Sequence, residues 1–183
     1  MNDGLPWSTE RLVLRRFRGP DLPALLAYRN DPLVARYQSW DSVTEEVGAA
    51  IVATHAVRPL GVPDAGLQIA IERTDGGVLI GDCYLQVDRS EPRQAEIGYT
   101  LARDEQGNGY ATEAVSCLLD HVFPDLDLHR VVALVDCENE RSIALLERLG
   151  FRREGHFVQS YWDDDRWADE YLYAILREEW ERR

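Results

Sequence analysis

The chain reads as a mixed α/β (α+β) domain, a mixed sheet backed by helices, and three observations predict it. Hydrophobic residues alternate in some segments and recur every three to four positions in others, which separates strands from helices. These segments follow the order β-α-α-β-β-β-α-β-α-β-β, a succession that lays helices against a sheet. The length, 183 residues, compares with ~150 residues for an ordinary domain and leaves room for one domain over 1–183.

The first strand is predicted at Arg11 to Phe17, where Leu12, Leu14 and Arg16 alternate with Val13, Arg15 and Phe17, and Gly19-Pro20 ends it. A helix is expected from Asp21 to Asn30. Another runs from Ser42 to Val57, with Ser42 and Glu45 at capping-box spacing. After a loop rich in proline and glycine come strands at Leu67 to Glu72, Val78 to Val87 and Ala95 to Leu101. Asp75-Gly76-Gly77 joins the first two as a hairpin. The period then changes: Ala111, Ala114, Val115, Leu118, Leu119 and Val122 fill one helical face that Pro124 should stop, giving a helix from Ala111 to Phe123. Arg130 to Val135 suits a buried strand, and Asn139 to Leu149 a helix with asparagine at its N-cap and Gly150 at its end. A hairpin closes the chain, Phe151 to Tyr161 and Trp167 to Leu176, joined by Asp163-Asp164-Asp165-Arg166.

Composition excludes several chemistries. All 20 basic residues are arginine, so a Walker phosphate loop, a pyridoxal Schiff base, a lysine aldolase and a protein kinase each lack their lysine. A net charge of −13 argues against a protein built to grip nucleic-acid phosphates. Cys83, Cys117 and Cys137 form an odd set without Cys-x-x-Cys spacing, so neither a disulfide framework nor a metal site is expected. No apolar run nears the ~18 residues of a membrane span, and Met1 to Glu10 shows no leader pattern. The expected setting is cytoplasmic, with no nucleic-acid or membrane partner.

The most informative stretch is Gln106-Gly107-Asn108-Gly109-Tyr110-Ala111, between a strand and a helix. Two glycines let the backbone turn so that the unpaired first amides of the helix converge on an anion. A dinucleotide fingerprint is disfavoured, because Thr112 stands where a third small residue belongs and no acid follows at the ~20-residue offset. Gln106-x-x-Gly109-x-Ala111 resembles instead the pyrophosphate-binding motif of the GNAT superfamily of acetyl-CoA-dependent N-acetyltransferases. Gly109-Tyr110-Ala111-Thr112-Glu113-Ala114, Asn139-x-x-Ser142-Ile143, Leu149-Gly150-Phe151, Glu154-Gly155, the opening Thr9-Glu10-Arg11-Leu12 and the late Trp167-x-Asp169 resemble its RimJ/RimL-type branch, which acetylates ribosomal-protein N-termini.

The resemblance implies a mostly antiparallel sheet of about seven strands flanked by about four helices. It implies acetyl-CoA as co-substrate and no metal. The amides of Gly107, Asn108, Gly109, Tyr110, Ala111 and Thr112 would cradle the coenzyme's pyrophosphate and the backbone of Tyr99, Thr100 and Leu101 would pair with its pantetheine arm, with Gln106 and Asn139 as further coenzyme-binding candidates. An amide there would polarise the thioester carbonyl. On the acceptor side Ser142 is the candidate donor to the departing thiolate and Glu96 the candidate base. The tyrosine acid and glutamate base of other family members are replaced by Leu146 and Leu134. The acceptor expected is an amine, a protein or peptide N-terminus, acetylated by direct attack in a ternary complex. A small-molecule amine such as an antibiotic, polyamine or amino acid remains the alternative, favoured if Tyr37, Trp40, Tyr161 or Trp162 enclose a pocket, although such aromatics are more often core than lining. A non-catalytic coenzyme-binding module also stays open, as does a homodimer. The acids Asp163, Asp164, Asp165 and Asp169 could draw an ammonium group but are as readily a solvated turn.

Overall fold

A computed structural model describes residues 4–40, 42–163 and 166–183. Among them run eight strands, β1 (Trp7–Ser8), β2 (Leu12–Arg15), β3 (Leu67–Arg73), β4 (Leu79–Val87), β5 (Gln94–Leu101), β6 (Arg130–Asp136), β7 (Arg152–Asp163) and β8 (Arg166–Leu176). Six helices accompany them: α1 (Leu22–Arg29), α2 (Pro32–Ala35), α3 (Glu45–Val57), α4 (Tyr110–Asp125), α5 (Glu140–Arg148) and α6 (Arg177–Trp180). The mixed, mostly antiparallel fold matches the expectation, with one strand and two helices more. The additions, β1, α2 and α6, are two to four residues long, too short for periodicity to mark.

The strands form one sheet in the order β1-β2-β3-β4-β5-β6-β8-β7. Every pairing is antiparallel except β5 with β6. That parallel pair needs a crossover, which α4 supplies. Alternation along the strands divides the core. Ile69, Ile71, Ile97 and Leu101 pack on one face with Val115, Leu118 and Leu119 of α4 and Leu145, Leu146 and Leu149 of α5. Ala70 and Leu79 face the other way, against Leu25 and Tyr28 of α1 and Val52 of α3.

Two predicted helix boundaries shift. Thr44, not Ser42, caps α3, its hydroxyl accepting the Val47 amide. Pro124 lies inside the last turn of α4. The helix carries on past it to the Leu126 amide, which donates to the Val122 carbonyl, because a proline near the end costs only its own missing N–H.

On the second face His55 of α3 is buried, and its Nδ1 accepts the Gln68 amide at 3.1 Å. Burial, then the cations Arg58, Arg29 and Arg16, lower its pKa from 6.5 to about 4. The native state therefore refuses a proton that the unfolded chain takes up. This contribution is complete above pH ~6.5, declines as pH falls toward ~4 and is level below, worth at most on the order of 3 kcal/mol. Denaturant titrations should show a His55→Gln variant losing less stability than the parent across that window; parallel losses would remove His55 from the acid response.

Candidate coenzyme and acetyl-transfer site

The parallel pair is short. Gln94, Ala95 and Glu96 pair with Arg130, Val131 and Val132, and beyond this rung the strands separate. Each keeps its other neighbour: β5 stays paired with β4 through Leu101, and β6 with β8 through Asp136. The segments 97–101 and 133–136 therefore flank a gap in the sheet. The Ala102 amide donates to the Ile80 carbonyl, and the two-residue period of the ladder then turns the polar backbone groups of Thr100 and Gly98 toward β4. Those of Ile97, Tyr99 and Leu101 turn into the gap. The Leu101 carbonyl is occupied by Gln106 Nε2 at 3.1 Å. Of the three predicted backbone partners, Tyr99 and Leu101 thus offer amides to the gap, whereas Thr100 is buried and turned away.

At the end of β5 the glycine loop turns as expected. Gly107 and Gly109 have φ of 81° and 82°, a left-handed conformation that glycine adopts freely. Gly109 is the N-cap of α4, and no side chain caps that helix. The Glu113 amide is the first to bond back, to the Gly109 carbonyl at 3.1 Å, which leaves the preceding amides of Tyr110, Ala111 and Thr112 as open donors of the first turn. The Gln106 side chain does not open toward a ligand: it bridges Leu101 O and Arg141 Nη1, the latter at 3.0 Å, tying the loop to β5 and α5.

Three arginines surround this loop: Arg11 of the opening Thr9-Glu10-Arg11-Leu12 segment, and Arg141 and Arg148, which no motif marks. Arg11 Nε donates to Glu113 Oε2 at 2.7 Å, its Nη1 to Asn108 O at 3.0 Å, and its guanidinium lies 4.7 Å from the Tyr110 ring centre. Thr9 also donates to Glu113, so the opening Thr9-Glu10-Arg11-Leu12 segment braces the start of α4. Burial opposes Glu113 ionisation, but the bonds from Thr9 and Arg11 outweigh it and hold the carboxyl below its ordinary range. Arg141 and Arg148, two turns apart on α5, reach Gln106 and Thr112 Oγ1. Their seven-residue spacing was the signal, because it puts both on one helical face.

Across the gap α5 begins at Asn139, whose Oδ1 accepts the Ser142 amide at 3.2 Å. Asn139 is thus the cap, and Ser142 is left free of that duty. The Ser142 hydroxyl lies 2.7 Å from the Tyr99 hydroxyl, and burial pushes the Tyr99 phenol well above its ordinary pKa. Leu146 is fully buried in the core, so the helix position that carries tyrosine in other members has no access to the gap. Here a phenol arrives from β5 instead. The sequence marks Tyr99 through its backbone alone, because nothing local shows that its side chain meets Ser142 of α5.

Glu96 shares β5 with Tyr99 but points to the opposite face, by strand alternation. It is exposed, beside the sheet opening. Desolvation by the neighbouring strands, then the charge of Glu170, raises its pKa, which makes it a better proton acceptor near neutrality than an ordinary carboxylate. Leu134 lies 41% exposed on β6.

The four aromatics weighed for the acceptor side are not core. Tyr37 donates to the Glu138 carbonyl at 3.3 Å and Tyr161 to Asp136 Oδ2 at 2.9 Å, both at the β6–α5 junction. Trp40 covers the buried Arg29 guanidinium, 4.1 Å from its ring centre, and donates to the Arg29 carbonyl. Arg29 in turn pairs with buried Asp82. Trp162 is 56% exposed, edge-on to Trp167. Asp164 and Asp165 lie outside the described residues. Asp169 holds the Gln159 amide and His156. No helix among the described residues is long and apolar enough to cross a membrane.

Comparison with known proteins agrees with this geometry. Residues 11–152 match the Acetyltransferase (GNAT) domain family. Over 172 residues the chain is 34% identical to the uncharacterized N-acetyltransferase p20 of Bacillus licheniformis, covering 94% of this chain and 96% of that one. A crystal structure of a GNAT-family acetyltransferase from Bacillus anthracis is 30% identical and superposes with a TM-score of 0.84, covering 96% of this chain and all of that one. Mycobacterium smegmatis RimJ, solved in complex with CoA-disulfide, is 29% identical with a TM-score of 0.78, covering 92% of this chain and 83% of that one. A chain with this sheet gap, this glycine loop and these relatives belongs to the GNAT acetyltransferase family and is an N-acetyltransferase.

Proposed function

We propose that the protein transfers an acetyl group from acetyl-CoA to the α-amine of a protein or peptide N-terminus by direct attack in a ternary complex. The observation that carries this reading is the alignment, along one gap in the sheet, of open helix amides, free β5 amides and the Tyr99–Ser142 pair. The amides of Gly107 to Thr112, with Arg11, Arg141 and Arg148 close by, suit a pyrophosphate. The inner edge of β5 suits the pantetheine arm, and the amides of Tyr99 and Leu101 are the donors available to polarise the thioester carbonyl.

Acetyl-CoA supplies an activated acyl carbon and a thiolate leaving group. Ser142 serves that thiolate as a hydrogen-bond donor. With Tyr99 taken as the donor in its 2.7 Å contact with the Ser142 hydroxyl, the serine proton is free to point into the gap. Glu96 opens on the opposite face, so the acceptor amine enters from that side and gives up its proton there or to water.

The choice of α-amines follows from the modest base. At pH 7 deprotonating an α-amine of pKa about 7.8 costs about 1 kcal/mol, against about 4.6 kcal/mol for a lysine side chain at about 10.4. Thiol release should be measured from acetyl-CoA with lysine-blocked peptides of varied first residue, α-blocked controls, polyamines and aminoglycosides. We expect release only where the α-amine is free. Preference for lysine side chains or a small amine would overturn the acceptor assignment, and coenzyme binding without release would point to a non-catalytic module.

A further inference from the structure

A second constellation stands apart from the acetyl-transfer gap. Cys137, just after β6, His156 on β7 and Asp169 on β8 each present a donor atom within 4.8 Å of the others. Sequence spacing gave no hint of this, because the ligands are 19 and 13 residues apart on separate segments that only the sheet order brings together. We propose that these three side chains form a binding site for a zinc-like divalent transition metal, with three protein ligands and one open position.

The surroundings are those of a prepared site. The Cys137 amide donates to the Asp169 carbonyl at 3.1 Å, which fixes the cysteine beside the aspartate. Asp169 Oδ2 meets His156 Nε2 at 2.7 Å. Its other oxygen accepts the Gln159 amide at 2.8 Å, an outer-shell bond of the kind that orients ligating carboxylates. Gln159 lies in an irregular stretch of β7 between Phe157 and Tyr161 and takes a φ of 51°, in the left-handed region that glycine favours. The strained turn is what aims its amide at Asp169. The His156 ring is held edge-on to Tyr171. A shallow open cleft of about 370 Å³, lined by Arg153, Glu154, Gly155, His156 and Tyr171, lies beside the cluster and leaves room for water or another ligand.

The donor set selects the ion. One sulfur, one imidazole nitrogen and one carboxylate oxygen suit zinc or cobalt, whereas magnesium and calcium require oxygen ligands. On binding, Cys137 gives its proton to solvent and coordinates as thiolate. The proton shared by His156 and Asp169 yields its place to the metal, moving to the other ring nitrogen.

The test is a Co(II) titration of the full chain without an affinity tag, followed by displacement with Zn(II). We expect a thiolate-to-Co(II) charge-transfer band that saturates at one equivalent and disappears on adding Zn(II). Cys137→Ser should abolish the band, and His156→Ala should weaken Co(II) binding by at least ~10-fold. Cys117→Ser should change nothing, although Cys117 Sγ lies 3.9 Å from His121 Nδ1, since Cys117 is buried in the core. Absence of the band in the parent, or its survival in Cys137→Ser, would overturn the proposal. His156 is exposed, so His156→Ala keeps the fold, and unchanged affinity in that variant would also refute the site.

Discussion

Replacing Gly109 with valine will weaken coenzyme A binding by ~10²–10⁴-fold, because the change moves the amides that the anion needs. Gly109 has φ of 82° as the N-cap of α4, where a β-branched residue is strained by at least ~1–2 kcal/mol. Space is not the obstacle, as the nearest heavy atom to an added Cβ is Arg11 Nη2 at 3.4 Å. Relief comes instead from rotating the loop, which misaims the Tyr110 and Ala111 amides. Two lost charge-assisted hydrogen bonds at ~1.5–3 kcal/mol each give the stated range. Gly107→Ala is the graded comparison, since nothing lies within 4 Å of its added Cβ and only its φ of 81° is strained. Calorimetric titration with coenzyme A, beside a thermal melt, distinguishes the cases. Parent-like affinity in a folded Gly109→Val protein would separate the loop from the pyrophosphate.

The second large effect is on turnover. Ser142→Ala is expected to lower kcat by ~10²-fold or more, the usual range for loss of a positioned proton donor, with KM for acetyl-CoA nearly unchanged. The helix should not suffer, because Asn139 rather than Ser142 provides the cap. Tyr99→Phe removes only the phenol 2.7 Å from the serine and should cost ~10-fold, since Tyr99 acts by holding Ser142. The double variant should then resemble Ser142→Ala, as expected for residues working in series. Multiplying effects would give Tyr99 an independent role, and full turnover in Ser142→Ala would take the serine out of the reaction.

Much of this protein was written locally. Two glycines ahead of an apolar helical stripe are enough to specify a left-handed turn and a helix N-terminus with free amides, because both depend on neighbouring residues alone. The alternation at Leu67 to Leu101, the cap at Asn139 and the stop at Gly150 are equally local, and so the strand and helix order was legible. The missing lysine excluded whole classes of chemistry before any fold was known.

What the chain could not disclose locally was which side chains meet. The gap opens where β5 and β6 stop pairing while each stays paired with its outer neighbour, an arrangement set between strands distant in the chain rather than within either segment. Tyr99 and Ser142 are 43 positions apart, and Arg11 reaches Glu113 across 102. Cys137, His156 and Asp169 converge only because β6 and β7 flank β8. Local sequence sets backbone conformation through short-range sterics and hydrogen bonding. Side-chain partnership across such separations depends on tertiary packing, and for this protein that packing decided the chemistry of the site.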